Sequence, residues 1–175
     1  DLAVESYEAA ISRNDKWWVP YRGLSLTYAA QGDMQNSMAS LQRGFDAGAD
    51  TERLGTDLAI MQYTQGDRQA AISTYEKVIA ELPESVLAKN NLAMILVDDQ
   101  ASESDIAQAV TYLDDIVSVE QAASLDTAGW VQLKAGNVAE AIDLLERAVE
   151  LAPQAAELHY HLGMAYAESG DTVKA

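Results

Sequence analysis

The chain has no cysteine, three prolines, one phenylalanine and only 11 lysines and arginines in 175 residues. Without cysteine there is no disulfide, no thiolate metal site and no thiol nucleophile. The scarcity of basic residues, set against 28 acidic ones and a formal charge of −17, argues against nucleic acid and anionic lipid as partners. Binding phosphates needs clustered Lys and Arg to displace counterions. Such a surface favours a basic partner at long range, though acidic charge also serves plain solubility. No apolar run exceeds a few residues ("LAMILV", 92–97), far short of the roughly 20 that span a bilayer. What the chain does have is alanine in abundance and about half apolar residues (49%), the composition of closely packed helices.

Self-comparison organises the rest. "AAQGD" (29–33), "YTQGD" (63–67), "LKAGN" (133–137) and "AESGD" (167–171) share a turn glycine: Gly32, Gly66, Gly136 and Gly170. The first two lie 34 apart, as do the last two, and the middle pair is 70 apart, two periods plus two residues. The missing turn belongs to a divergent repeat whose loop, "VDDQASESD" (97–105), carries the insertion and no glycine. Seven residues before the turns stand the small residues Ser25, Ala59, Gly129 and Gly163, with Ala93 in phase in the divergent repeat. Five after them come Ser37, Ala71, Ala141 and Ala175, and Pro83 and Pro153 close two repeats. Small residues let paired helices approach closely, glycine ends a first helix through positive φ, and proline ends a second.

Gly163, Tyr166, Gly170 and Ala175 in "LHYHLGMAYAESGD" and beyond, and Gly129, Gly136, Ala141, Ala148 and Pro153 in "AGNVAEAIDLLERAVELAP" and just before it, carry a resemblance. They resemble the tetratricopeptide repeat, along the whole chain and in five phased copies. The departures are Ser37 and Gly44, which are expected to loosen the first complete repeat, and Gln132, which replaces the usual aromatic. The resemblance implies an all-α fold, a right-handed superhelical solenoid of antiparallel helix pairs whose first helices line an inner groove. We read repeats at 18–51, 52–85, 86–121 and 122–155, preceded by an orphan second helix within 1–17 and followed by a partial repeat, 156–175. First helices are expected near 18–31, 52–65, 86–98, 122–135 and 156–169, and second helices near 34–48, 68–82, 105–118 and 138–152. The pattern begins and stops mid-repeat, as in a fragment of a longer array.

Catalytic chemistry finds no support. His159 and His161 are the only histidines, and two residues apart on a helix their rings diverge by about 200°. Asp98, Asp99, Glu103 and Asp105 lack the alternate spacing, central glycine and terminal Glu of a calcium loop. No phosphate loop or Ser–His–Asp arrangement is legible, so neither an enzyme nor a cofactor is expected.

The surface is more informative. One residue past each small residue stand Leu26, Ile60, Met94, Trp130 and Met164, all large and apolar. Beside them run Arg22, Thr56, Asn90, Asp126 and Tyr160, and then Ala29, Tyr63, Val97, Leu133 and Ala167. An apolar stripe at helical spacing is commonly core, and Leu26 and Ile60 are read so. Met94, Trp130, Met164, Tyr63, Tyr160, Asn90 and Asp126 are the candidate partner-binding residues, since Trp, Tyr and Met are common interface anchors. Asn90 stands alone at a position suited to clamping a terminal carboxylate: Arg22 and Arg53 lie a repeat or more away, and Asp126, Glu157 and Glu168 would repel one. Trp17 and Trp18, in "DKWWVPY" (15–21), read as a wedge between repeats.

The expectation is a non-catalytic scaffold holding a peptide or partner protein. Alternatives are head-to-tail self-association, with the helix at 3–14 of one copy on the helix at 156–169 of another, or a recognition arm of a larger enzyme or export porin. "LDTAGWVQLKAG" and "ELHYHLGMAYAESGD" are similar to repeats of bacterial envelope proteins linked to exopolysaccharide export. That similarity implies a bacterial source and favours the periplasm over the cytoplasm.

Overall fold

The local chemistry of the repeated turn explains where the helices begin and end. In "AAQGD" the helix closes on Gly32 at φ 77°, a conformation that costs a side chain dearly and glycine nothing. The Asp33 amide then reaches back to the Tyr28 carbonyl at 2.9 Å, a Schellman closure. The Asp33 carboxylate accepts from the Asn36 amide at 3.0 Å and so caps the next helix. The Asn36 amide, with the Asn36 side chain donating to Asp33 Oδ2 at 2.7 Å, holds Asp33 below the usual carboxylate range. Asp67 repeats both bonds, to the Gln62 carbonyl and from the Ala70 amide. Asn137 repeats the closure, onto Gln132, but caps no helix with its side chain.

The computed structural model describes residues 1–170, so Ala175 lies outside the described residues. Among the described residues there are eleven α-helices and no strand. They are α1 (Leu2–Arg13), α2 (Trp18–Ala30), α3 (Met34–Asp46), α4 (Thr51–Thr64), α5 (Arg68–Glu81), α6 (Val86–Leu96), α7 (Glu103–Val110), α8 (Leu113–Val117), α9 (Ala122–Lys134), α10 (Val138–Leu151) and α11 (Ala156–Ser169). Pro20 sits in the first turn of α2, while Pro83 and Pro153 follow the ends of α5 and α10. Among the described residues no helix is longer than 14 residues, and none is long and apolar enough to cross a membrane.

The chain forms two compact units, Asp1–Ala88 and a second from Lys89 onward. In the first, α2 packs on α1 and α3, and α4 on α3 and α5. Leu24, Leu41, Leu54, Leu58, Tyr75 and Val78 are its fully buried large side chains. Two glycines bring the helices together: a Cβ on Gly44 would lie 2.5 Å from Leu54 Cδ1, and one on Gly55 2.4 Å from Val78 Cγ2. Ser37 and Gly44 do not loosen this unit. Ser37 is fully buried, its hydroxyl 2.9 Å from both the hydroxyl and the carbonyl of Ser25, and Gly44 is the space that Tyr21 and Leu54 occupy. The error lay in reading small residues as defects where the packing requires them. Arg43 donates both terminal nitrogens to the Glu8 carboxylate at 2.7 and 3.0 Å, tying α3 to α1 and holding Glu8 below its ordinary range.

In the second unit α9 is the hub, packed against α7, α8, α10 and α11. Gly129 of α9 faces Ala141 and Leu145 of α10, and Ala128 beside it is fully buried. The expected single second helix near 105–118 is instead two, α7 and α8, broken at Thr111 and Tyr112. The Thr111 hydroxyl and amide both turn back to the Gln108 carbonyl, at 2.7 and 3.0 Å. That local bonding competes with helix propagation. Backbone amides across 98–105 are therefore expected to exchange faster than those of 122–155 in hydrogen–deuterium exchange. Equal protection of the two segments would contradict this.

Candidate binding surface on the first helices

In α2, α4, α6 and α9 the residue just before the small one (Leu24, Leu58, Leu92, Ala128) is fully buried, while Leu162 of α11 is half-buried. The residue just after it, about 100° further round the helix, turns toward solvent. Leu26 is 59% and Ile60 49% exposed, so the assignment of these two to the core is corrected. Met164 is exposed as well, while Met94 and Trp130 are half-buried. In the first unit Leu26 and Ile60 stand at the mouth of a cavity of about 380 Å³, floored by Leu41 and Met61 and edged by Arg22 and Asp57. The apolar phase of the sequence pointed to this surface; the cavity itself, built from side chains of α2, α3 and α4, was not legible there. Tyr63, further along α4, is exposed.

The neighbouring row is polar and joins successive first helices. Arg22 Nε donates to Asp57 Oδ2 at 2.7 Å. His161 Nδ1 lies 2.8 Å from Asp126 Oδ1. Both pairs are 35 residues apart, one repeat plus one position. Asp126 is thus no free groove carboxylate: it is buried and engaged by His161. Thr56 Oγ1 and Asn90 Oδ1, in the same row, are buried with no hydrogen-bond partner among the described residues.

Trp130 is held on both sides. The His161 ring stacks on it, with centroids 4.4 Å apart and planes 24° from parallel. The Lys134 ammonium lies 4.7 Å from its centroid, a cation–π contact. Trp130, Leu133, Met164 and Glu168 line a smaller hollow of about 260 Å³, and Tyr160, 62% exposed, stands beside His161 with ring centroids 5.7 Å apart. The two histidines do part ways, since His159 is exposed and bonds the Pro153 carbonyl at 3.0 Å. The wedge reading suits Trp18, whose ring lies 4.3 Å beneath the Arg53 guanidinium of α4, whereas Trp17 is half exposed.

A family model described as "Tetratricopeptide repeat" matches residues 56–118 and 127–175, more than half of the chain. The chain belongs to the tetratricopeptide repeat family. Tetratricopeptide repeat proteins are generally non-enzymatic scaffolds for protein–protein interaction. No curated protein matches the chain. Solved structures with a similar fold include MamA (41-end) from Desulfovibrio magneticus RS-1, at 19% identity and a TM-score of 0.71 over 86% of this chain and 84% of that one. YrrB, described as a tetratricopeptide repeat protein with an unusual peptide-binding site, aligns at 17% identity and a TM-score of 0.72 over 98% and 87%. A thermophilic repeat protein of the same family from Thermus thermophilus aligns at 19% and 0.66 over 86% and 82%. At these identities the likeness establishes the shared fold of this repeat protein.

Proposed function

We propose that this chain is a binding scaffold whose contact surface is the outward row of its first helices. The observation that supports it most is the exposure of Leu26 and Ile60 over the 380 Å³ cavity. A cavity of that size takes one large apolar side chain of a partner peptide or protein. In the second unit Met94, Trp130 and Met164 continue the same phase, with Asn90 and Tyr160 in the row beside them and Asp126 acting through His161; Tyr63 lies on α4 in the first unit. The repeats that carry these residues are those at 18–51, 52–85, 86–121 and 122–155, with Tyr160, His161 and Met164 in the partial repeat 156–175.

Affinity capture from an extract of the source organism tests this. The baits are the wild-type chain, a Leu26→Glu/Ile60→Glu variant and a Met94→Glu/Trp130→Glu variant, each shown to be folded by circular dichroism. A partner retained by the wild type and lost by either variant is the expected result. Equal capture by all three would remove the first-helix surface from the binding reaction.

A further inference from the structure

Residues 89–175, the second unit, hold 15 of the 28 acidic side chains and only four of the 11 basic ones. Lys89 pairs with Asp115, and Arg147 with Glu120 and Asp143. Lys134 is exposed and has no carboxylate partner among the described residues. Its ammonium rests instead over the Trp130 ring, 4.7 Å from the centroid.

The indole is held ready for a cation. Buried Asp126 fixes the His161 ring through Nδ1 at 2.8 Å, and that ring stacks on one face of Trp130. The other face keeps its negative π-density, and the cation on it is the one that α9 itself supplies. Leu133 and Met164 extend the hollow beside this face, and Glu168 stands there exposed, without an ion pair among the described residues. Lys134 also lines a second hollow, of about 410 Å³, on the α7 side, with Ile106, Val110 and Glu103. Glu103 is likewise exposed and without an ion pair among the described residues. The flexible lysine stem thus stands between two apolar hollows, each edged by a carboxylate.

We propose that the hollow at Trp130 receives a lysine or arginine of a basic, leucine-like apolar partner segment, which takes the indole face from Lys134. Glu168 meets the incoming charge, Leu133 and Met164 take the neighbouring apolar side chains, and Lys134 turns toward Glu103. The acidic surplus of the unit draws such a segment in and repels an acidic one. The indole is already fixed by His161, so little ordering is needed on binding. This rests on the first-helix surface as the contact surface and names the chemistry that it reads.

The probe is a short fluorescein-labelled peptide of lysine and leucine, titrated by fluorescence anisotropy. Its counterpart carries acetyl-lysine, which keeps the length and loses the charge. The wild-type chain is expected to bind the lysine peptide about threefold more tightly or better. Lys134→Ala clears the indole and is expected to tighten binding about fourfold. Arg147→Ala makes the same charge change outside the hollow and is expected to shift binding by less than about 1.5-fold. Trp130→Leu is expected to weaken it about fourfold, and Glu168→Gln about twofold. Should Trp130→Leu fail to fold, the Trp17→Phe/Trp18→Phe background reads the same contact, since Trp130 emission is expected to change on adding unlabelled peptide. Unchanged emission at saturation would overturn the proposal, and so would equal gains in Lys134→Ala and Arg147→Ala, which reduce the effect to diffuse attraction. Equal affinity for the two peptides, lost in Met94→Glu/Trp130→Glu, would overturn the cation site and leave the first-helix surface standing. Binding that survives both that variant and Leu26→Glu/Ile60→Glu would remove the surface itself, and the site with it.

Discussion

Gly129→Leu is expected to lower the stability of the second unit by about 3 kcal/mol or more, the upper range for overpacking a closed contact. A Cβ at this position lies 2.6 Å from Leu145 Cγ and 3.2 Å from the Ala141 carbonyl oxygen. The leucine at 145 has rotamers to try, but the Ala141 oxygen belongs to the backbone of α10 and moves only if the helix moves. Ala141 and Leu145 are themselves fully buried, so there is no slack behind them. α9 is also the helix on which α7, α8, α10 and α11 all pack, so displacing it disturbs the whole unit. Urea denaturation followed by far-ultraviolet circular dichroism measures the loss. Gly129→Ala is expected to lie between wild type and leucine, since it meets the same two atoms with one carbon. A leucine variant as stable as wild type would mean that α9 and α10 are not in contact as described.

Asp126→Ala should cost about 2–3 kcal/mol, the range for a buried hydrogen bond to a charged group whose partner is left behind. The change strands His161 Nδ1, which is buried between α9 and α11 and has Asp126 as its acceptor. Asp126→Asn keeps an acceptor oxygen at the same place and is expected to lose less than half as much. The local consequence is as informative as the stability. His161 stacks on Trp130, so freeing the imidazole changes the environment of that indole. In a Trp17→Phe/Trp18→Phe background Trp130 is the remaining tryptophan, and its emission is expected to shift in Asp126→Ala and hold in Asp126→Asn. Unchanged stability and emission in the alanine variant would show that the Asp126–His161 bond does not hold α11 against α9.

Comparison of the two units shows how one repeat position serves different chemistry. Arg22–Asp57 and Asp126–His161 join equivalent points of successive first helices. The first pair is partly exposed, where solvent screening leaves an ion pair worth little. The second is buried, where an unmet partner is expensive. The same substitution at Arg22 is therefore expected to be mild beside Asp126→Ala.

Some of this was determined by the sequence alone. Gly32, Gly66, Gly136 and Gly170 place the turns because only glycine accepts positive φ cheaply, and the Schellman bonds after the first three and the caps at Asp33 and Asp67 are satisfied within a few residues. Pro83 and Pro153 end helices for an equally local reason, the missing amide. A period of 34 built from such signals made the family and the positions of the first helices readable. The second helix near 105–118 escaped, because its break depends on how the Thr111 hydroxyl competes with the helix, for which no strong punctuating residue stands in the chain. The surfaces belonged to tertiary structure. Whether Leu26 is core or exposed depends on which side of its helix the next repeat covers, and helical spacing carries no record of that choice. The Asp126–His161 bond joins residues 35 apart, and a cavity beside Gln132 arises from four helices together. Local punctuation sets where helices are; burial and pairing are set by neighbours a full repeat away, and only their packing decides which side chains remain to meet a partner.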